Sequence, residues 1–153
     1  MKPILNKPET ILVAEDDPTD ALFLRRAFSK AGVSVTLQFV RDGQEAVDYL
    51  RGDAPFADRN AHPLPDLLLL DLKMPRLNGF DVLGWLRQRP ILKRLPVIIF
   101  SSSGELGDIN HAYDLGANSF VVKPHALEEL LGLVERFKNY WIEANQNPSA
   151  RSA

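Results

Sequence analysis

Short apolar runs alternate along this chain with segments of helical period, and each run stops at a polar or charged residue. Residues 11–14, Leu67–Leu70, 97–100 and 119–122 are too short for helices and read as strands. Leu67–Leu70 is apolar at every position, as expected of a strand covered on both faces. Residues 33–40 alternate, with Val33, Val35, Leu37 and Phe39 on one side, and read as a further strand, second in chain order. Between them lie helix signatures. Asp17 followed by Pro18 is a good helix start, and Leu24, Ala27, Phe28 and Ala31 recur at helical spacing up to Gly32. Asp42 and Glu45 have capping-box spacing ahead of Ala46, Val47 and Leu50. A third helix starts at Asn78 and stops near Pro90, and a weaker one runs from Leu106 to Leu115. Leu127, Leu130, Leu131, Val134, Phe137 and Trp141 trace one face of a final helix of about 20 residues, or about 30 Å. Strict alternation of this kind predicts an α/β fold: a doubly wound, five-stranded parallel sheet with five helices.

Composition narrows the class. A length of 153 residues, 45% of them hydrophobic, is enough for one domain with a single core. The formal charge of −2 argues against nucleic acid as a partner, which calls for clustered Lys and Arg. There is no cysteine, so disulfides, thiol catalysis and Cys-based zinc sites are excluded. The longest apolar runs fall far short of the roughly 20 residues that span a bilayer, and the first ten residues lack a secretory core. No membrane association and a cytoplasmic location are therefore expected. The domain is expected over residues 10–145, with an N-terminal extension at 1–9 and a flexible tail at 146–153. Residues 52–65, which hold three prolines and several charges, read as a solvent-exposed loop.

In a sheet of this kind functional groups gather at the carboxyl ends of the strands. This chain puts Glu15 and Asp16 after the first strand, Asp71 after the third, Ser101 and Ser102 after the fourth, and Lys123 after the fifth. Three carboxylates at one edge repel each other unless a cation neutralises them, and a hard divalent ion such as Mg²⁺ suits oxygen ligands. Asp17 is better read as a helix cap than as a further ligand. An aspartate held ionised by a metal and a lysine can attack phosphorus and form an aspartyl phosphate. Positive charge from Lys123 and a hydroxyl from Ser101 then stabilise the phosphoryl oxygens. His62, His111 and His125 show no metal-ligand spacing and read as solvated or capping residues.

These positions resemble the response-regulator receiver family over residues 10 to about 142. The carriers are Glu15-Asp16-Asp17-Pro18 after the first strand, Leu70-Asp71-Leu72-Lys73-Met74-Pro75 with Asn78-Gly79, the strand ending in Ser101-Ser102, and Phe120-Val121-Val122-Lys123-Pro124. The resemblance implies the flavodoxin-like receiver fold with strand order 2-1-3-4-5. It implies Asp71 as phosphoacceptor, with Mg²⁺ held by Glu15, Asp16, Asp71 and the backbone carbonyl of Lys73. Ser101, with Ser102 beside it, and Lys123 would bind phosphate and switch, Phe120 would be the switch aromatic, and the bond before Pro124 would be cis. Such a chain is a phosphoacceptor rather than an enzyme, supporting its own Mg²⁺-dependent phosphoryl transfer and slow self-dephosphorylation. Serine stands at 101 where threonine is more usual, and Ser102 where alanine is frequent. Lys73, two residues after the acceptor, bears on how easily water attacks the acyl phosphate.

Other phosphate-linked families fit less well. No Gly-Lys-Ser or Gly-Lys-Thr ends a glycine-rich turn, so a P-loop is out. An FMN site would not place Glu15, Asp16 and Asp17 in its phosphate loop, and a dehalogenase-type phosphatase would want Asp where Lys73 stands. The expected partner is a histidine kinase or a phosphotransfer protein. The loop at 52–65 and the pair Phe137 and Trp141 resemble single-domain regulators paired with bacterial phytochrome kinases. With nothing after the final helix long enough for a DNA-binding module, output is expected through the domain itself. One output is homodimer formation through the helix 4, strand 5 and helix 5 face, with Leu133, Phe137, Tyr140 and Trp141 as possible interface residues. The alternative is a phosphotransfer intermediate or phosphate sink without an effector.

Overall fold

The computed structural model describes residues 7–148, so residues 1–6 of the extension expected at 1–9 and residues 149–153 of the tail expected at 146–153 lie outside the described residues. The chain runs β1 (Thr10–Ala14), α1 (Pro18–Lys30), β2 (Thr36–Val40), α2 (Gly43–Arg51), β3 (Leu67–Leu70), α3 (Gly79–Arg87), β4 (Val97–Ser101), α4 (Leu106–Asp114), β5 (Ser119–Val122) and α5 (Leu127–Phe137). All four strand pairings are parallel and the sheet order is β2-β1-β3-β4-β5.

Alternation along the strands divides the core in two. Leu12, Ala14, Leu68, Leu70, Val97 and Ile99 face α2 and α3. Ile11, Val13, Leu67, Leu69 and Ile98 face α1 and α5. Every residue of Leu67–Leu70 is buried, because the central strand is covered by both helical layers.

Helix ends follow local chemistry. The Asp17 carboxylate accepts from the Thr19 and Asp20 amides, Asp42 accepts from the Glu45 amide, and Asn78 and Asp81 close a reciprocal capping box. Arg87, near the end of α3, acts as a strap. Its guanidinium donates to the carbonyls of Gly116, Lys93 and Leu95 and to Asn118 Oδ1, at 2.7–2.9 Å. That ties α3 to the segments that enter β4 and β5.

Four expectations change. β2 begins at Thr36 rather than residue 33, because Gly32 takes a positive φ and the Val33 amide closes α1 on Phe28 O. Val33 and Val35 still pack against the same core as Leu37 and Phe39. The segment 52–65 is the expected loop, with Asp53, Ala54, Pro55, Asp58 and Asn60 exposed, but its other side is anchored: Arg59 donates to the Tyr49 and Leu50 carbonyls at the end of α2, and Phe56 and His62 pack on the Tyr49 ring. His62 therefore lies in an aromatic cluster, not in solvent. The last helix is α-helical only to Phe137 and continues as π-helix over Lys138–Ala144, where the Asn145 amide reaches back five residues to Tyr140 O. Past it, Asn147 is buried and donates to Asp66 O, so order extends into the segment expected to be flexible.

Candidate functional site

β1, β3 and β5 each deliver a charged group just past their last ladder position, and β4 ends on Ser101. The Glu15 amide still bonds Val40 O, the Asp71 amide bonds Ala14 O, and the Lys123 amide bonds Ser101 O. The ladders thus fix the backbone of the side chains that meet at this edge. Gly79, at the start of α3, presses on the same place: its amide donates to Leu72 O, and a Cβ built on it would lie 2.3 Å from the Asp71 carbonyl oxygen.

Glu15, Asp16 and Asp71 each bring a carboxylate oxygen within 4.8 Å of the others, the one such group found among the described residues. Glu15 and Asp71 are buried while Asp16 is exposed, so the cluster is closed below and open above. An all-oxygen donor set of this charge suits a hard divalent cation, and no histidine takes part. Lys123 Nζ lies 2.5 Å from Glu15 Oε1, 3.0 Å from Asp71 Oδ2 and 3.2 Å from Asp20 Oδ2.

The electrostatics follow from burial. Loss of solvent pushes the Glu15 carboxyl up to about 7 from 4.5, although Lys123 and the Asp17 amide pull the other way. Burial alone would lower the Lys123 ammonium; its bonds to Glu15 and Asp71 outweigh that and hold it above the ordinary lysine value. The ammonium stays charged and serves as a fixed counter-ion beside the Asp71 carboxylate.

Ser101 is fully buried at the end of β4, and its Oγ accepts from the Ser103 amide at 3.2 Å. Ser103 Oγ donates to Asp108 of α4 at 2.7 Å, which links the Ser101 loop to that helix. Ser102 and the Lys73 side chain point to solvent, and Phe120 is half-buried against the α2 and α3 side of the core. The cis bond expected before Pro124 is not there. Among the described residues the cis peptide is Ala54-Pro55, and with a trans bond, the lower-energy isomer for X-Pro, Lys123 still reaches Glu15, Asp20 and Asp71. Asp20 was not singled out in the sequence. It sits at the third position of α1, where a side chain turns back toward the cap, and that placement is the signal that could have found it.

Comparison with known proteins bears on the same set. A family model for the response regulator receiver domain matches residues 11–135. The chain belongs to the response regulator receiver family. Response regulator Rcp1 of Synechocystis sp. is 30% identical, with 95% of this chain and 97% of that protein covered. The Mn²⁺-bound form of Rcp1 superposes with a TM-score of 0.84 at 30% identity, over 93% of this chain and 100% of that one. The phosphorylated cyanobacterial phytochrome response regulator RcpA gives 0.85 at 35% identity, covering 94% and 99%. Response regulator RPA3017, from red light signaling of R. palustris, gives 0.86 at 38% identity, covering 92% and 98%. This receiver is thus a signalling domain whose family works with histidine kinases and a divalent metal, and its acidic cluster fits that metal. No helix among the described residues is long and apolar enough to cross a membrane.

Proposed function

We propose that this receiver is a switch that accepts a phosphoryl group on Asp71 from a histidine kinase, with Mg²⁺, and changes its association through the α4/β5/α5 face. The observation that carries the reading is the Lys123 ammonium 3.0 Å from Asp71 Oδ2, beside three carboxylates within 4.8 Å of one another. Glu15, Asp16, Asp71 and the Lys73 backbone carbonyl would hold the ion, which when bound neutralises charge on the phosphoryl oxygens. An Asp71 carboxylate oxygen supplies the electron pair for the new O–P bond. The N–P bond of the phosphohistidine breaks, and its pair stays on the imidazole nitrogen, which takes up a proton. Lys123 meets one phosphoryl oxygen, and the Ser101 hydroxyl turns from the Ser103 amide to another.

That turn frees the Ser103 amide and pulls on the Asp108 contact at the start of α4. Phe120 on β5 adjusts with it. The face that responds carries exposed apolar side chains: Leu106 and Tyr113 on α4, Val122 on β5 and Leu127 on α5. Of the expected interface residues, Tyr140 is exposed, while Leu133, Phe137 and Trp141 are partly covered by the chain's own core. That favours α4 and β5 as the centre of a homodimer contact. The red-light and phytochrome relatives support a phytochrome-type kinase as the donor. The absence of cysteine fits work in the reducing cytoplasm.

The test is molar mass by light scattering after gel filtration, with and without Mg²⁺ plus beryllofluoride, which stands in for the phosphoryl group. A mass increase that is lost in Asp71→Asn is expected. An unchanged mass in the wild-type chain would overturn the association output and favour a relay or phosphate-sink role.

A further inference from the structure

Three carboxylates share the Lys123 ammonium, but they are not alike. Glu15 and Asp71 are buried members of the three-carboxylate group. Asp20 comes from the first turn of α1, lies outside that group, and keeps 42% of its side chain exposed. A cation drawn to Glu15 and Asp71 weakens their hold on Lys123 and leaves Asp20 as the anion that still competes for it. Asp20 and Lys123 also share the wall of an open hollow of about 110 Å³, lined further by Phe23, Phe100 and His125. A small phosphodonor reaching Lys123 from that side meets the Asp20 charge first.

We propose that Asp20 is a positioning residue that restrains Lys123: its carboxylate competes with incoming phosphoryl oxygens for the ammonium and repels anionic phosphodonors, so it slows phosphorylation of Asp71. The inference rests on Asp71 being the phosphoacceptor. A helix-capping role alone would not produce this effect, because Asp20 does not accept the capping amides; the Asp17 carboxylate does.

The experiment uses the full chain with Mg²⁺ and two donors, the acetyl phosphate dianion and the phosphoramidate monoanion. With the first, an Asp71 oxygen forms the new O–P bond while the bond from phosphorus to the acetyl oxygen breaks, and acetate leaves with that pair. With the second, the P–N bond breaks and ammonia leaves with the pair. Intact mass follows phosphorylation in the wild type, Asp20→Asn, Asp20→Glu and Asp71→Asn. Asp20→Asn is expected to raise the rate constant about threefold with acetyl phosphate, the scale of one half-exposed charge interaction, and less with phosphoramidate. Asp20→Glu keeps the charge and is expected to match the wild type. An Asp20→Asn rate at or below wild type with acetyl phosphate, or an Asp20→Glu rate as fast as Asp20→Asn, would overturn the inference. Phosphorylation persisting in Asp71→Asn would instead overturn the acceptor reading, whatever Asp20 does.

Discussion

Two glycines in α3 make the same substitution run in opposite directions. An alanine Cβ at Gly79 would lie 2.3 Å from the Asp71 carbonyl oxygen and 2.9 Å from Leu72 Cα. Both are backbone atoms of the strand end that carries the acceptor, so neither can swing aside as a side chain would. At Gly84, five residues along the same helix, a Cβ meets nothing within 4 Å. Alanine gains about 0.5–1 kcal/mol over glycine in a helix interior wherever it fits. Gly84→Ala should realise that gain. Gly79→Ala should lose it to an overpacking cost of about 1–3 kcal/mol, since α3 must back away from Asp71. For a chain of this length 1 kcal/mol moves Tm by about 2–4 °C, so Gly84→Ala should raise Tm by a few degrees and Gly79→Ala should lower it. Urea unfolding of the two variants beside the wild type measures both. Equal stabilisation by the two alanines would refute the close approach of α3 to the acceptor strand.

Arg87→Met should cost about 3–5 kcal/mol, because the carbonyls of Gly116, Lys93 and Leu95 lose their shared donor; a urea midpoint within error of wild type would contradict the strap. Glu15 has its folded pKa raised from 4.5 to about 7, so between those values the folded state holds the extra proton and this group's contribution to stability falls as pH rises through the window. Mg²⁺ binding must displace that proton, so affinity measured by calorimetry should weaken by about tenfold per unit below pH 7 and level off above it. The slope should flatten in Glu15→Gln, and a pH-independent affinity in the wild type would contradict it. Ser103→Ala removes the contact to Asp108 at the start of α4, a helix without a side-chain cap of its own, and should speed amide exchange in its first turn. Unchanged exchange there would count against the link.

What could be read in advance depended on how local the cause was. Runs such as Leu67–Leu70 named the strands because burial on both faces leaves no polar position, and the polar residue after each run named the site edge. The caps at Asp17, Asp42 and Asn78 act within four residues and were equally legible. Contacts made by tertiary approach were not. Arg87 reaches carbonyls up to 29 residues away, and Asp20 meets Lys123 across 103. The anchored loop after α2 depends on Arg59 finding the carbonyls of Tyr49 and Leu50, which a stretch rich in proline and charge conceals. The π-helical end of the last helix is hidden for a related reason. Phe137, Trp141 and Ile142 all pack on the α1 side of the core, and a periodic apolar face looks the same before and after the winding widens.

The central claim is that Asp71 takes the phosphoryl group, and site mapping tests it most directly. The chain would be incubated with Mg²⁺ and acetyl phosphate, the acyl phosphate trapped by borohydride reduction, and the modified residue located by peptide mass spectrometry. One modification, at Asp71, abolished in Asp71→Asn and strongly reduced in Lys123→Met, is the expected result. A modification at another residue, or one that survives Asp71→Asn, would contradict the account.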